Sequence, residues 1–211
     1  MQSMRSFNTD MTDSLLTKEQ IQPPDYWLKN DFIAEHDAHA FFTQLLTQLP
    51  WRQDKIKMFG KEVEIPRLQV FMGDSGVEYT YSNLTLNTHP WHPTVLEIRN
   101  RIQALTGSTF NAALLNYYRN GQDSMGWHQD NEPELGDAPI IASVSLGASR
   151  PFMLRHLTDK QRKEQLILNN GSLLWMGPKL QAQWQHSLPK RPTSQSARIN
   201  LTFRQVLTQK T

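Results

Sequence analysis

The chain predicts an α+β fold whose core is a jelly roll, a β-sandwich braced by helices gathered ahead of it. Three observations lead there. At 211 residues the chain suits one domain with a substantial core and is tight for two. From Phe110 onward it breaks into short β-rich runs, 110–118, 140–146, 152–156, 165–168, 172–176, 184–188 and 199–206, punctuated by Gly121, Gly136, Gly147, Asn169-Asn170-Gly171 and Gly177. Many short strands between turn signals mark a sandwich or barrel. The helical periodicities precede these runs, as expected when helices brace one sheet.

The elements follow in order. Residues 1–24 mix Ser, Thr, Gln and Asp and end in Pro23-Pro24, so they form a flexible N-terminal arm outside the core. The domain proper runs from 25 to 211. Ala38, Phe41, Phe42, Leu45, Leu46 and Leu49 recur at helical spacing until Pro50, giving an amphipathic helix whose phenylalanines belong to the core. Residues 55–65 alternate on both sides of a Phe-Gly-Lys tip, the pattern of a β-hairpin with charged faces. Val95, Ile98, Ile102 and Leu105 mark a second helix that stops near Gly107, a residue suited to a left-handed cap. The Asn169-Asn170-Gly171 run is a tight turn.

Composition removes several classes. With no cysteine there is no disulfide framework, iron–sulfur cluster or Cys-ligated zinc, so a metal must sit on His, Asp or Glu; this fits a reducing cytoplasm. Residues 1–10 lack the basic start and apolar run of a signal peptide, and no apolar stretch is long enough to cross a bilayer. A soluble cytoplasmic monomer is expected, nucleoid-associated if bacterial. A net charge of +2 does not by itself announce nucleic-acid binding.

The chemistry is carried by His128-Gln-Asp130, His186 and Arg198-Ile-Asn-Leu-Thr-Phe-Arg204. Side chains two apart on a strand share a face, so His128 and Asp130 can meet one ion while Gln129 turns away. His-x-Asp alone is a weak pattern that usually means a surface pair. His186 lies on a distant strand of the kind a jelly roll brings into apposition, and two imidazoles with one carboxylate are the facial set that holds ferrous iron with open positions. In the last motif Arg198, Asn200, Thr202 and Arg204 fall on one strand face and Ile199, Leu201 and Phe203 on the other. That polar face is either a solvated edge or a grip for the two ends of a short dicarboxylate by charge-assisted bonds. Asn116 and Tyr118, again two apart, would add donors from an opposite strand.

These blocks, with Asn116-Tyr-Tyr118 and His186-Ser-Leu-Pro, resemble the AlkB family of Fe(II)/2-oxoglutarate-dependent dioxygenases, over about residues 51–206, and in particular its branch that repairs alkylated duplex DNA. The resemblance implies a double-stranded β-helix core at about 110–206 and a nucleotide-recognition lid with supporting helix at about 51–109. It implies His128, Asp130 and His186 as catalytic iron ligands, and Asn116, Tyr118, Arg198, Asn200, Thr202 and Arg204 as holding 2-oxoglutarate. On the substrate side it implies a Met58-Phe59-Gly60 finger that wedges into the base stack, a lid strand beginning at Pro66-Arg67, and Tyr79 and Tyr81 at the extruded base. Asn131 stands where an acidic residue is common, followed by Glu132, and Tyr81 stands where phenylalanine is frequent. The implied activity uses Fe(II), O2 and 2-oxoglutarate to demethylate 1-methyladenine- and 3-methylcytosine-type lesions in DNA, releasing formaldehyde, succinate and CO2. A methyl on a ring nitrogen blocks pairing, which already lowers the cost of extruding that base.

Other readings share these residues. An RNA or tRNA demethylase would use the same chemistry, and a non-catalytic jelly-roll binding module would use the same residues to stabilise strands. Hydroxylation of a protein or small molecule is opposed by the basic hairpin only moderately. A zinc hydrolase would need a general base that no His-Glu-x-x-His helix supplies here, and it leaves the paired arginines without a task.

Overall fold

A computed structural model describes residues 15–58, 60–81 and 84–207. Phe59, at the expected finger tip, lies outside the described residues, as do the side chains of Met58 and Tyr81. The described end of the expected arm lies against the domain: the Leu16 N–H donates to Leu105 O at 2.9 Å, and a short 3-10 turn covers Lys18–Gln20. Strand β1 follows at Tyr26–Lys29.

Helix α1 covers Glu35–Gln48 and buries Ala38 and Leu45, while Phe41, Phe42 and Leu46 pack partly buried against the same core. The charged hairpin forms as β2, Lys55–Met58, and β3, Lys61–Glu64. Its register sets Lys55 opposite Glu64, a pair of opposite charge that favours this alignment. Strand β4, Leu68–Gly73, is buried from its second residue onward, and β5 (Tyr79–Tyr81), β6 (Leu84–Leu86) and β7 (Thr88–His89) follow.

Helix α2, Pro93–Thr106, is delimited as its sequence dictates. His92 caps the Thr94 N–H, proline occupies the first turn, and Gly107 closes the helix at φ 67°. Proline tolerates that first position, and glycine tolerates the left-handed one, because neither loses a hydrogen bond or clashes there. Val95, Ile98, Ile102 and Leu105 form its buried stripe, each contributing roughly 1.5–3 kcal/mol by leaving water.

The remaining strands are β8 (Ala112–Tyr118), β9 (Met125–His128), β10 (Ile141–Gly147), β11 (Arg150–His156), β12 (Lys163–Leu168), β13 (Leu173–Met176), β14 (Trp184–Leu188) and β15 (Arg198–Arg204), with helix α3 at Pro178–Gln183. They build a seven-stranded sheet in the order β1-β13-β10-β15-β8-β4-β7 and a four-stranded sheet in the order β12-β11-β14-β9. One core lies between α1, α2 and the large sheet and takes Ile199, Leu201 and Phe203. The second lies between the two sheets and holds Leu114, Phe152, Leu154, Met176 and Leu188. Facing sheets with helices on one outer face are the jelly roll expected from the strand pattern.

Two placements differ from the sequence reading. The segment entered through Pro66-Arg67 is β4 of the large sheet, hydrogen-bonded to β8 along its length; its apolar run Val70-Phe71-Met72 is buried on both faces. The stretch at 178–183 is helical although it is too short to show a period. Among the described residues no helix is long and apolar enough to cross a membrane.

Candidate metal centre and co-substrate pocket

The site lies between the sheets. In the small sheet β14 pairs antiparallel with β9, and the register sets His186 directly opposite His128. Their rings meet edge to face with centroids 4.2 Å apart. Asp130 lies two residues past His128 on the same side and is buried. One donor atom from each of His128, Asp130 and His186 lies within 4.8 Å of the others, with His186 Nε2 at 3.6 Å from Asp130 Oδ2. That spacing lets one ion bind all three.

Neighbouring groups hold each ligand. The Nδ1–H of His128 donates to Gly126 O at 2.8 Å, which leaves Nε2 as the nitrogen with a lone pair. Phe152 stacks on His186 with centroids 5.2 Å apart. Gln129 donates away from the centre to Gln181 O at 2.8 Å, while Gln181 Oε1 accepts from the Asp130 N–H at 3.4 Å. Arg204 donates to Asp130 Oδ1 at 2.7 Å, leaving the second oxygen to face the imidazoles.

Electrostatics select the ligating protonation states. Burial, with His128 and Arg204 nearby, depresses His186 to about 3; burial likewise depresses His128. For Asp130 burial alone would raise the pKa, but Arg204, His186 and His128 hold it well below the usual carboxylate range. Two neutral imidazoles and a carboxylate anion are the forms that bind a cation.

A cleft opens beside this trio and is lined by His128, Asp130, His186, Asn116, Tyr118, Arg198, Asn200, Thr202 and Arg204. The polar face of β15 thus points inward. The β15–β8 register sets Arg198 opposite Tyr118 and Asn200 opposite Asn116, as the two-residue spacings imply.

The two arginines are not equivalent. Arg204 is committed to the metal-side carboxylate and lies over the Tyr79 ring, 5.6 Å from its centroid. Arg198 is also fully buried, yet among the described residues no carboxylate lies within ion-pair reach of it. Its Nη2 donates to Ser145 Oγ at 2.9 Å and Asn200 Oδ1 at 2.7 Å, its Nε has no partner among the described residues, and burial lowers it to about 10. A buried guanidinium without a counter-charge is costly, so the pocket is shaped for an anion. The residues present therefore fit ferrous iron through the His-Asp-His trio and a dicarboxylate through Arg198.

The substrate-side expectations are distributed differently. Tyr79 is fully buried in the core between the sheets, stacked on Phe71 at 5.4 Å. Arg67 is buried and donates from Nε to Asn116 Oδ1 at 2.8 Å. Asn131 is exposed and Glu132 half-buried; burial, together with Asp130, raises the Glu132 pKa. None of these four lines the cleft described above. The cleft also takes Leu114, Met125, Ser143, Phe152, Met176 and Leu188, which the motifs did not indicate. Leu114 was within reach, lying two residues before Asn116 on the same strand face. Ser143 sits in an apolar run and becomes meaningful only through the register that sets it opposite Thr202.

Comparison with known proteins agrees with this geometry. The profile of the 2OG-Fe(II) oxygenase superfamily matches residues 25–204. The chain is 40% identical over 184 residues to alpha-ketoglutarate-dependent dioxygenase alkB homolog 3 of Bos taurus, covering 83% of this chain and 64% of that protein. It is 43% identical over 160 residues to DNA oxidative demethylase ALKBH2 of Mus musculus, covering 72% and 67%. The human ALKBH2 is 42% identical over 160 residues, covering 72% of this chain and 61% of that protein. The chain spans about two thirds of the length of these curated relatives. Among solved structures, OsALKBH1 superimposes with a TM-score of 0.59 at 19% identity, covering 85% of this chain and 97% of that one, a likeness of fold.

Proposed function

The chain belongs to the 2OG-Fe(II) oxygenase superfamily and, within it, to the AlkB-type dioxygenases, and on that premise we propose that it is a DNA oxidative demethylase that reverses 1-methyladenine- and 3-methylcytosine-type lesions. The observation that carries the chemistry is the convergence of His128, Asp130 and His186 beside a buried guanidinium, Arg198, that has no carboxylate partner among the described residues. The choice of DNA draws on the relatives named as DNA oxidative demethylases. Bound iron with 2-oxoglutarate and O2 supplies the oxidising power that hydroxylates the N-methyl carbon, after which the carbon–nitrogen bond breaks to give formaldehyde and the repaired base.

The protein's part is placement. His128, Asp130 and His186 would hold the metal beside the cleft. Arg198 takes the far carboxylate of 2-oxoglutarate by charge-assisted hydrogen bonds. Asn116, Tyr118, Asn200 and Thr202 line its length, and Ser143 and Ser145 keep Asn200 and Arg198 oriented. Arg204 fixes Asp130 and keeps it ionised. Phe152, Leu188 and Leu114 supply apolar walls that keep water from the reacting centre.

On the nucleic-acid side the charged hairpin β2–β3 serves as the recognition element. Phe59 and Met58 at the hairpin tip fill the gap left by the lesion, Tyr81 stacks on the extruded base, and Asn131 and Glu132 bound its polar edge. On this reading the enzyme works as a monomer in the cytoplasm, at the nucleoid if its source is bacterial. Side-by-side turnover of single-stranded DNA, duplex DNA and RNA carrying the same methylated base, with formaldehyde and succinate quantified, tests the proposal. Equimolar formaldehyde and succinate with DNA preferred supports it; faster RNA demethylation would reassign the substrate, and no succinate would leave only a binding module.

A further inference from the structure

We propose that Arg67 is a positioning residue of the co-substrate pocket: it fixes the amide of Asn116 so that the NH2 end faces the cleft as a donor for a carboxylate. The inference rests on the assignment of 2-oxoglutarate to this cleft and concerns a residue expected, from sequence, on the substrate side at the start of a lid strand.

The chemistry of the contact decides the orientation. Arg67 Nε lies 2.8 Å from Asn116 Oδ1, and a guanidinium only donates. The amide atom it meets must be the oxygen, so the end of Asn116 left for the cleft is the NH2. Turned the other way, the amide would set its NH2 against a cation and its lone pairs against the incoming anion. Both residues are 5% exposed, so water offers little competition for the bond and its directing power is high. Among the described residues Arg67 has no carboxylate within ion-pair reach, so no other anion competes for its guanidinium.

The backbone around Arg67 is equally constrained. Its own N–H donates to Ile65 O at 2.8 Å, and the preceding Pro66 carbonyl accepts from the Ser124 N–H at 3.0 Å. Ser124 directly precedes β9, the strand that ends at His128. Arg67 therefore joins three things: the exit of the charged hairpin, the turn before the metal strand and the donor set of the co-substrate pocket.

The test uses the full chain with Mn(II) in place of Fe(II), titrating 2-oxoglutarate by calorimetry after measuring Mn(II) affinity alone. Arg67→Met should weaken 2-oxoglutarate binding roughly tenfold, the worth of one oriented hydrogen bond to a charged group, with Mn(II) affinity unchanged. Arg67→Lys, which keeps a buried cation but loses the fixed Nε geometry, should show a smaller loss. In an Asn116→Ala background Arg67→Met should cost nothing further, because the path through Asn116 is already gone. Unchanged 2-oxoglutarate affinity in Arg67→Met, or losses that simply add in the double variant, would overturn the proposal. So would the absence of a cooperative melting transition in both Arg67 variants, which would make the residue structural. A wild-type protein that binds Mn(II) but not 2-oxoglutarate would instead defeat the functional reading itself, and this inference with it.

Discussion

At the scale of single residues, the arrangement turns on which buried charges are already satisfied. Arg204 and Asp130 are both fully buried and pair at 2.7 Å, so removing one strands the other in a medium that solvates charge poorly. Arg204→Met should destabilise the iron-free protein by about 3–5 kcal/mol, read as a lowered urea midpoint, and weaken iron binding because Asp130 then shifts toward its neutral form. A midpoint equal to wild type would mean the pair contributes nothing. The alternation in residues 198–204 made all four inward polar side chains legible in the sequence, but not the division of labour between the two arginines. That division depends on Asp130, distant in sequence and brought close only by the fold. Tyr79 shows the same limit. Its motif places it at the base, whereas packing on Phe71 puts it behind Arg204.

At the scale of elements, the turns that join the site strands are as constrained as the strands. The 119–124 turn between β8 and β9 is knitted to the 191–194 segment by Gly121 N–H to Ser194 O at 2.9 Å and Arg191 N–H to Gly121 O at 2.7 Å. Arg150 spans the same region, donating to Asp123 O at 3.0 Å and Pro189 O at 2.7 Å. A Cβ at Gly121 would come within 1.6 Å of Arg191 O, so Gly121→Ala should separate these segments and cost about 2 kcal/mol or more. Thermal melting checks this, and an unchanged Tm would show that the two segments can move apart freely. On the hairpin, Phe59→Ala should reduce turnover of duplex substrate far more than of single strands, since only the duplex has a stack to wedge open; equal losses would make Phe59 a folding residue. The hairpin and both long helices were legible because their periodicities are unambiguous and their ends carry Gly or Pro. Strand β4 was not recognised as part of the large sheet, because burial on both faces removes the alternation that announces a strand position. Helix α3 was missed because six residues cannot display a helical period.

At the scale of the whole molecule, a core that buries two imidazoles makes the iron-free protein sensitive to acid. The folded state holds His186 near 3, while an unfolded chain protonates histidine at about 6.5. Between those values the unfolded state binds the extra proton, so stability is full above about pH 6.5 and falls as pH drops, by up to about 1.4 kcal/mol per pH unit for one such group. His128 is shifted in the same direction and adds to the slope. Asp130, held low, contributes stability above the ordinary carboxylate range that is lost only at lower pH. Urea unfolding of the iron-free protein from pH 7.5 to 4 should therefore show a midpoint that is flat to about 6.5 and then declines; a midpoint that rose on acidification would contradict the buried neutral imidazoles.

On this arrangement three side chains from two strands and a loop would share one ferrous ion, with 2-oxoglutarate beside it. Anaerobic titration with Fe(II), followed by 2-oxoglutarate, measures this directly through the visible charge-transfer band of the iron–2-oxoglutarate chelate. The band should appear at one equivalent of each in the wild-type protein and be absent in His128→Ala. A band of equal intensity in the variant, or none in the wild type despite bound iron, would contradict the assignment.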